Sequence, residues 1–510
     1  MFFNNKTLAS VSIFLFFVPV IAFLNRVNLP QILLLDLYLI LISQILLLIT
    51  IFFFSFILQK FLLRNFITLK SFFLVNSLTT YLLFFYKNLK SLFFDKQNFL
   101  FDDILVLIIY FIIYLFLIYF VKKYLEFLLR FLIIYVFLQL GIFSINFYNS
   151  QINLEKPDIK NNNFNFLFGL DTNLLEENSK SSAIFFIILD GMMSLSSAEK
   201  LEIINNKKEL IDSLEENNLI YKEGFFTNYD ATYLSLTSLL EGSYPILDSS
   251  KKYHNRKKFF PAFILNQRKD NNFFQILRKT NKKFYWLGNS WAFCQDNIYI
   301  RCVNSNSIYK YFSKIKLFYL DSIFIYFFNF YPYEDKSKES LNFLTNTNLK
   351  FKNNEIYLIH ILSPRPPHFF DENCKIKNRD QISKISSNKE MEYYKYAYNC
   401  LIDVMNTFTS RINEIDKNSM VFILSDHGWK FDEKTMQNYN LDPEDSRFNS
   451  FFSYKVPSAC SKKESPNSIV NVMRFALICD GNNKIKYLED LKFKTFYEDN
   501  PNYGKVILKN

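Results

Sequence analysis

Ala183-Ile184-Phe185-Phe186-Ile187-Ile188-Leu189-Asp190-Gly191 is the stretch whose reading decides the fold class. Seven apolar residues without polar alternation read as a strand buried on both faces. The Asp190 carboxylate stands at its C-terminal end. The pattern returns at Met420–Leu424, which runs into Ser425-Asp426-His427-Gly428. A third apolar strand, Glu355–Leu362, carries His360. The spacing predicts helices over Ser197–Asn217 and Glu390–Ile415. Strands separated by helices imply an α/β domain with a mostly parallel central sheet flanked by helices. Ligands of such sheets bind beyond the carboxyl ends of the strands. Asp190, Asp426 and His427 gathered at one sheet edge can hold a divalent cation such as Zn²⁺ or Mn²⁺. Taken singly, each also fits a helix cap or a polar turn.

Ahead of this domain, apolar runs recur at Ser10–Leu24, Ile32–Leu58, Ser71–Tyr86, Ile104–Val121 and Phe131–Tyr148. Lys122-Lys123 and Arg130 separate the last two. A hydrocarbon core about 30 Å thick needs ~20 helical residues. Five transmembrane helices are therefore expected in residues 1–148, then an Asn-rich linker or juxtamembrane arm in 149–182, then the α/β domain in 183–510. Asp36, inside the second run, reads as an intramembrane carboxylate or as an interfacial one. No small-residue cleavage site follows the first run, so it reads as a retained anchor. Five spans put the chain ends on opposite sides. The larger basic set, from Lys6 and Lys60 to Arg130, then places the N-terminus inside.

Composition narrows the function classes. Apolar residues make up 50% of the 510, and Gly only 9 of them, which excludes collagen-like and generally disordered chains. The net charge is +11: residues 1–147 carry 11 basic and 5 acidic side chains, the remainder 48 and 43. That balance does not suit a nucleic-acid binder. All six cysteines, Cys294, Cys302, Cys374, Cys400, Cys460 and Cys479, lie in the C-terminal part. An even set there suggests three disulfides outside the cytoplasm, the alternative being six unrelated buried thiols. The spacing is not that of zinc-ligand pairs.

One further segment bears on chemistry, Thr227-Asn228-Tyr229-Asp230-Ala231-Thr232-Tyr233-Leu234-Ser235. Helical spacing begins at Thr232. A hydroxyl at a helix start sits beside free backbone N–H groups and the positive dipole end, which suits a phosphate and an activated nucleophile. Two other readings stand beside it: Thr232 as an N-cap only, and Ser235, one turn on, as the nucleophile.

Asp190-Gly191, the Thr232 segment ending Leu240-Glu241-Gly242-Ser243-Tyr244-Pro245, the segment His360-Ile361-Leu362-Ser363-Pro364-Arg365-Pro366-Pro367, and Ser425-Asp426-His427-Gly428 follow one another in a recognisable order. The chain thereby resembles the alkaline-phosphatase/sulfatase superfamily. The likeness is to its membrane-anchored, sulfatase-like branch, which includes lipoteichoic acid synthases and phosphoethanolamine transferases. The resemblance implies that Asp190, Thr232, Asp426 and His427 hold one divalent metal ion, Zn or Mn, with Ca or Mg as alternatives. Thr232 would also be the nucleophile. His360 and the Pro364–His368 turn would hold the substrate oxyanion. Arg365 stands where such relatives commonly have His, and His368 where they have an aromatic residue. Arg365 can clamp a phosphate bidentately, and the leaving-group acid is then His360 or His368. His360 also fits a buried strand histidine with one hydrogen bond, and His254 sits in a basic loop.

There is no Cys-x-Pro-x-Arg motif of the kind true sulfatases oxidise to formylglycine. Gly191, rather than a second Asp, follows Asp190, which points to the Thr-dependent, transferase-like branch. The resemblance pairs Cys374 with Cys400. Cys294 with Cys302 would close a short loop, and the pairing of Cys460 and Cys479 stays open. The implied activity is a membrane-bound, metal-dependent phosphotransferase that moves a phospholipid headgroup to an envelope glycan through a phospho-threonine. A sulfatase-like hydrolase, phosphodiesterase or sulfuric ester hydrolase, is the alternative, and an inactive structural membrane protein is a third reading. The implied partners are phospholipid, envelope glycan and the membrane, with no nucleic acid and no obligate protein partner. The implied place is the plasma membrane, multi-pass, with an extracytoplasmic C-terminal domain.

Overall fold

The computed structural model describes residues 11–15, 34–61, 68–84, 99–152, 175, 182–245, 272–288, 298–303, 337–366, 368–377, 389–495 and 506–509. They fall into two compact units, one helical and N-terminal, the other α/β.

The helical unit corrects the five-span expectation. Its helices are Leu34–Phe61, Leu69–Phe84 and Phe99–Ile152. The fourth and fifth expected spans lie on the helical stretch Phe99–Ile152, which is two helices joined across a kink at Tyr124 (φ −124°, ψ 32°). The kink falls directly after Lys122-Lys123, where a break was expected, and Arg130 lies within the second of the two helices. Among the described residues, one segment is long and apolar enough to cross a membrane, Phe111–Ile142, with only 17% of its most apolar stretch buried. The argument that put the chain ends on opposite sides falls with the five spans. The first expected span is described only at 11–15, and the Asp36 side chain, Arg26 and His254 lie outside the described residues. Polar contacts join the three helices: Asn76 Nδ2 donates to Ser55 Oγ (2.6 Å) and Tyr114 OH to Asn76 Oδ1 (2.9 Å).

In the α/β unit, seven strands form one sheet: β1 (Ile184–Leu189), β2 (Ile220–Tyr221), β3 (Lys283–Leu287), β4 (Ile300–Cys302), β5 (Glu355–Ile361), β6 (Met420–Leu424) and β7 (Phe452–Lys455). Their order is β2-β7-β6-β1-β5-β3-β4. The run from β6 to β4 is parallel, and β7 and β2 add antiparallel pairings at one edge. Every residue of the central β1 is buried. Successive side chains point to opposite faces. Phe185, Ile187 and Leu189 pack with Tyr394, Leu401 and Phe408 of the helix Glu390–Ile415. Ile184, Phe186 and Ile188 pack with Leu236 and Leu239 of the helix Thr232–Glu241 and with Phe475 of the helix Val470–Cys479. Full burial of each such side chain contributes ~1.5–3 kcal/mol.

The expected helix Ser197–Asn217 is two helices, Leu195–Lys200 and Lys207–Glu216. Asn206 interrupts it, because its side chain accepts the N–H groups of Lys208 and Glu209 and caps a new helix instead of continuing the old one. A separate antiparallel hairpin, β8 (Lys492–Thr495) with β9 (Val506–Lys509), completes the described chain.

Cys374 is bonded to Cys400 and Cys460 to Cys479. Cys302 is also disulfide-bonded, while Cys294 lies outside the described residues. The Cys374–Cys400 bond closes a loop with a sequence separation of 26. Replacing both cysteines by Ala is expected to cost about 3 kcal/mol through the entropy returned to the unfolded chain. Denaturant titration checks this, and a loss below ~1 kcal/mol would show that the bond does not restrain the unfolded ensemble in that way.

Candidate active site

Sheet register brings the chemistry to one edge. In the parallel pairing, Ile188 faces His360 on β5 and Leu424 on β6. One residue beyond Leu189 comes Asp190, and two beyond Leu424 comes Asp426. Asp190, His360 and Asp426 are buried, with donor atoms all within 4.8 Å of one another. His360 Nε2 lies 3.4 Å from Asp190 Oδ2. His427 Nε2 lies 3.6 Å from Asp190 Oδ1 and 3.5 Å from Asp426 Oδ2. These separations are long for hydrogen bonds. Ligands bound ~2.1 Å from a tetrahedral centre stand about 3.4 Å apart, so the donor set fits a divalent cation. Both Asp190 oxygens and Asp426 Oδ2 are buried without a hydrogen-bond partner, which also suits a cation rather than a closed polar network.

His427 is oriented for that task. Its Nδ1 lies 2.8 Å from the carbonyl of Gly428, which can only accept. Nδ1 therefore carries the proton, and Nε2 turns a lone pair toward the carboxylates. Burial and Arg447 push the His427 imidazole down in pKa, against the pull of Asp426 and Asp190. Burial would raise the Asp190 carboxyl, but His360, Arg365 and His427 outweigh it and hold the group well below the usual carboxylate range.

The remaining expected residues divide. Arg365, 35% exposed, reaches the cluster, with Nε 2.8 Å from Asp190 Oδ1 at ion-pair distance but without hydrogen-bond alignment. His368 stands one layer back. Its Nδ1 bonds the Pro364 carbonyl (2.8 Å), and its ring meets the edge of Tyr394. Burial pushes its pKa down to about 4, against the bond to Pro364 and with Lys377 adding to the fall. At neutral pH it is uncharged and presents a bare Nε2, an acceptor rather than a proton source.

Thr232 opens the ten-residue helix Thr232–Glu241. It is not the N-cap. That position is Ala231, in extended backbone with no side-chain cap bond. Ser235 is fully buried, and its hydroxyl donates to the carbonyl of Tyr229 (3.0 Å).

Four supporting residues had no role of their own assigned from the sequence, Ser425 appearing there only within its motif. Ser425 Oγ donates to the carbonyl of Leu189 (2.7 Å) and accepts from Met192 N (2.8 Å), tying the two metal-side turns together. Tyr394 OH donates to the carbonyl of Gly191 (2.8 Å). Trp429 lies beside Gly191, where an added Cβ would meet its ring at 3.1 Å. Arg447 lies over Trp429 (6.0 Å) and donates to the carbonyl of Asp230 (2.8 Å), so it joins the His427 loop to the Thr232 turn. A buried tyrosine hydroxyl needs a partner, which is a weak signal for Tyr394. Nothing local in the sequence marks Arg447.

The sequence model of the Sulfatase family matches residues 182–476. No curated protein matches the chain. Solved structures similar to it include the C-terminal periplasmic domain of EptC from Escherichia coli, at 11% identity, covering 67% of this chain and 95% of that one, with a TM-score of 0.37. The integral membrane lipooligosaccharide phosphoethanolamine transferase EptA from Neisseria meningitidis is 14% identical, covering 94% and 96%, with a TM-score of 0.36. The putative sulfatase yidJ from Bacteroides fragilis is 10% identical, covering 65% and 84%, with a TM-score of 0.39. Matched by the family model over more than half of its 510 residues, the chain belongs to the sulfatase family.

Proposed function

We propose that this chain is a metal-dependent phosphotransferase acting on a phosphodiester, with a phospholipid headgroup as the group moved and a hydroxyl of an envelope glycan as acceptor. The observation that carries the reading is the 3.4–3.6 Å spacing of the buried donors on Asp190, His360, Asp426 and His427. Asp190, Asp426 and His427 would hold the cation, with Thr232 as a fourth ligand and His360 beside them. A divalent cation there lowers the pKa of a hydroxyl and neutralises charge on a transferring phosphoryl group.

In the first step Thr232 Oγ1 bonds to phosphorus, and the phosphorus–oxygen bond to the lipid breaks. Thr232 Oγ1 gives up its proton as it attacks, and the departing lipid oxygen takes up one proton, so the step releases the lipid alcohol with no net change in protons. An acceptor hydroxyl, or water, then attacks the phospho-threonine and returns a proton to Thr232. Arg365 clamps the phosphoryl oxygens from the open side of the cluster. The disulfide-bonded cysteines support placing this unit in an oxidising compartment outside the cytoplasm.

Purified full chain is expected to bind one Zn²⁺ or Mn²⁺ in calorimetric titration. Asp426→Ala should weaken that binding by at least about 100-fold, since even residues behind the ligands are worth 10–100-fold. Unchanged affinity would end the metal assignment. Mass spectrometry of products from a phosphatidylethanolamine donor and a glycan acceptor separates transfer from hydrolysis.

A further inference from the structure

The helix that begins at Thr232 has no side-chain cap, so something else must fix the backbone that enters it. The three residues Asn228, Tyr229 and Asp230 are each held by β8, from the far C-terminus. Phe493 N donates to the carbonyl of Asn228 (2.7 Å). The Phe493 ring stacks on Tyr229, centroids 5.2 Å apart. Thr495 donates twice to Asp230 Oδ1, from its backbone N (3.0 Å) and from its hydroxyl (2.5 Å). Asp230 is 7% exposed. Its carbonyl accepts from Arg447 Nη2 (2.8 Å).

The hairpin is itself anchored to the helix that supplies Arg447, Pro443–Phe448. Lys494 pairs with Glu444, and Lys509 Nζ lies 2.6 Å from Asp445 Oδ1. Lys492 lies over the rings of Phe226 (4.7 Å) and Phe448 (5.9 Å). A strand that only covered an exposed edge would need none of the contacts to the Asp230 side chain.

From this we infer that the β8–β9 hairpin is a positioning element of the active site: Thr495 and Asp230 set the backbone of Asp230-Ala231-Thr232 and thereby aim the Thr232 hydroxyl. Thr495 acts through Asp230 and touches no substrate. The inference rests on Thr232 being the nucleophile. It predicts that small changes at Thr495 slow the chemical step without weakening substrate binding, and weaken metal binding no more than loss of the Thr232 hydroxyl does. A misaimed nucleophile loses rate steeply with displacement.

The test uses purified full chain, Zn²⁺ and the phosphodiester probe bis(4-nitrophenyl) phosphate. Thr495→Val should lower kcat at least tenfold, leaving KM within twofold and calorimetric Zn²⁺ affinity no weaker than that of Thr232→Ala. Thr495→Ser should return kcat to within twofold of the wild type, and Asp230→Asn, which keeps the Oδ1 acceptor, should do likewise. If Thr495→Val does not fold, Thr495→Ala is read for the same split. An unchanged kcat, or a loss that only follows the folded fraction seen by near-ultraviolet circular dichroism, overturns the inference. Thr232→Ala is run beside it. If that variant turns over normally, the nucleophile assignment and the hairpin's role both fall. If it is inactive while Thr495→Val keeps full kcat, only the hairpin's role falls.

Discussion

Thr232→Ala is expected to lower turnover by about 10³-fold or more, a loss of ~4 kcal/mol of transition-state stabilisation, while the fold stays within ~0.5 kcal/mol of the wild type. The two halves of that statement come from different observations. The hydroxyl is the only atom proposed to bond phosphorus, and its removal closes the covalent route that divides one hard displacement into two easier ones. Stability is spared because Ala231, not Thr232, occupies the N-cap. A capping threonine would have cost ~0.5–2 kcal/mol on truncation. Ser235→Ala should show the reverse pattern. Its buried hydroxyl bonds the Tyr229 carbonyl, so its loss costs ~1 kcal/mol of stability and leaves turnover in place. Thr232→Ser keeps the nucleophilic oxygen and should retain part of the activity. Acid-quenched protein, digested and mapped for the phosphorylated residue, decides between the positions. Turnover lost in Ser235→Ala and kept in Thr232→Ala would move the nucleophile by one helical turn.

The central strand was legible because burial on both faces leaves an uninterrupted apolar run, and Ala183–Leu189 becomes β1 with one residue trimmed. Met420–Leu424 and Glu390–Ile415 fall on their expected bounds for related reasons: a fully buried strand and a long helix each carry their period without interruption. The convergence of Asp190 and Asp426 followed from both strand ends pointing the same way in a parallel sheet. What stayed hidden depends on contacts between distant segments. β7 and the β8–β9 hairpin are four-residue pieces whose pairing partners decide them. Arg447 is one arginine in a six-residue helix, and only the fold brings it beside Asp230, 217 residues away. The helical unit failed differently. Hydropathy marked Lys122-Lys123, and a kink does follow at Tyr124, but a run of apolar residues does not by itself make a span: among the described residues one segment, Phe111–Ile142, is long and apolar enough to cross a membrane, and it runs through that kink.

Gly428→Ala is expected to be the most damaging single substitution near the site. A Cβ built on Gly428 would stand 1.9 Å from the carbonyl oxygen of Ser446 and 2.5 Å from that of Asn449. Both obstacles are backbone, so no side chain can swing away. Gly428 N donates to the carbonyl of Arg447 (2.8 Å), which locks the His427 loop against the segment that carries Arg447. Relief requires parting these two segments. That breaks the bond, displaces His427 from Asp190 and Asp426, and draws Arg447 from Asp230. The expected cost is ~4 kcal/mol, in the range reserved for backbone conflicts and lost networks. For a unit of this size that is a fall in Tm of roughly 10 °C. Zn²⁺ affinity should fall by at least about 100-fold with it, because the loop's histidine is the proposed ligand and its neighbours set its orientation. Gly191→Ala provides the contrast. There the obstacles are the side chains of Arg365 and Trp429 at 3.1 Å, and φ is +76°. The Arg365 atom is its Cβ and moves only with its backbone, but at 3.1 Å a shift of a few tenths of an ångström relieves both contacts, so the cost is mainly the left-handed backbone, ~1–2 kcal/mol. Thermal unfolding and calorimetric titration of both variants test the ranking. Gly428→Ala matching the wild type in both would mean that the two loops are not held at the separation on which the site's geometry depends.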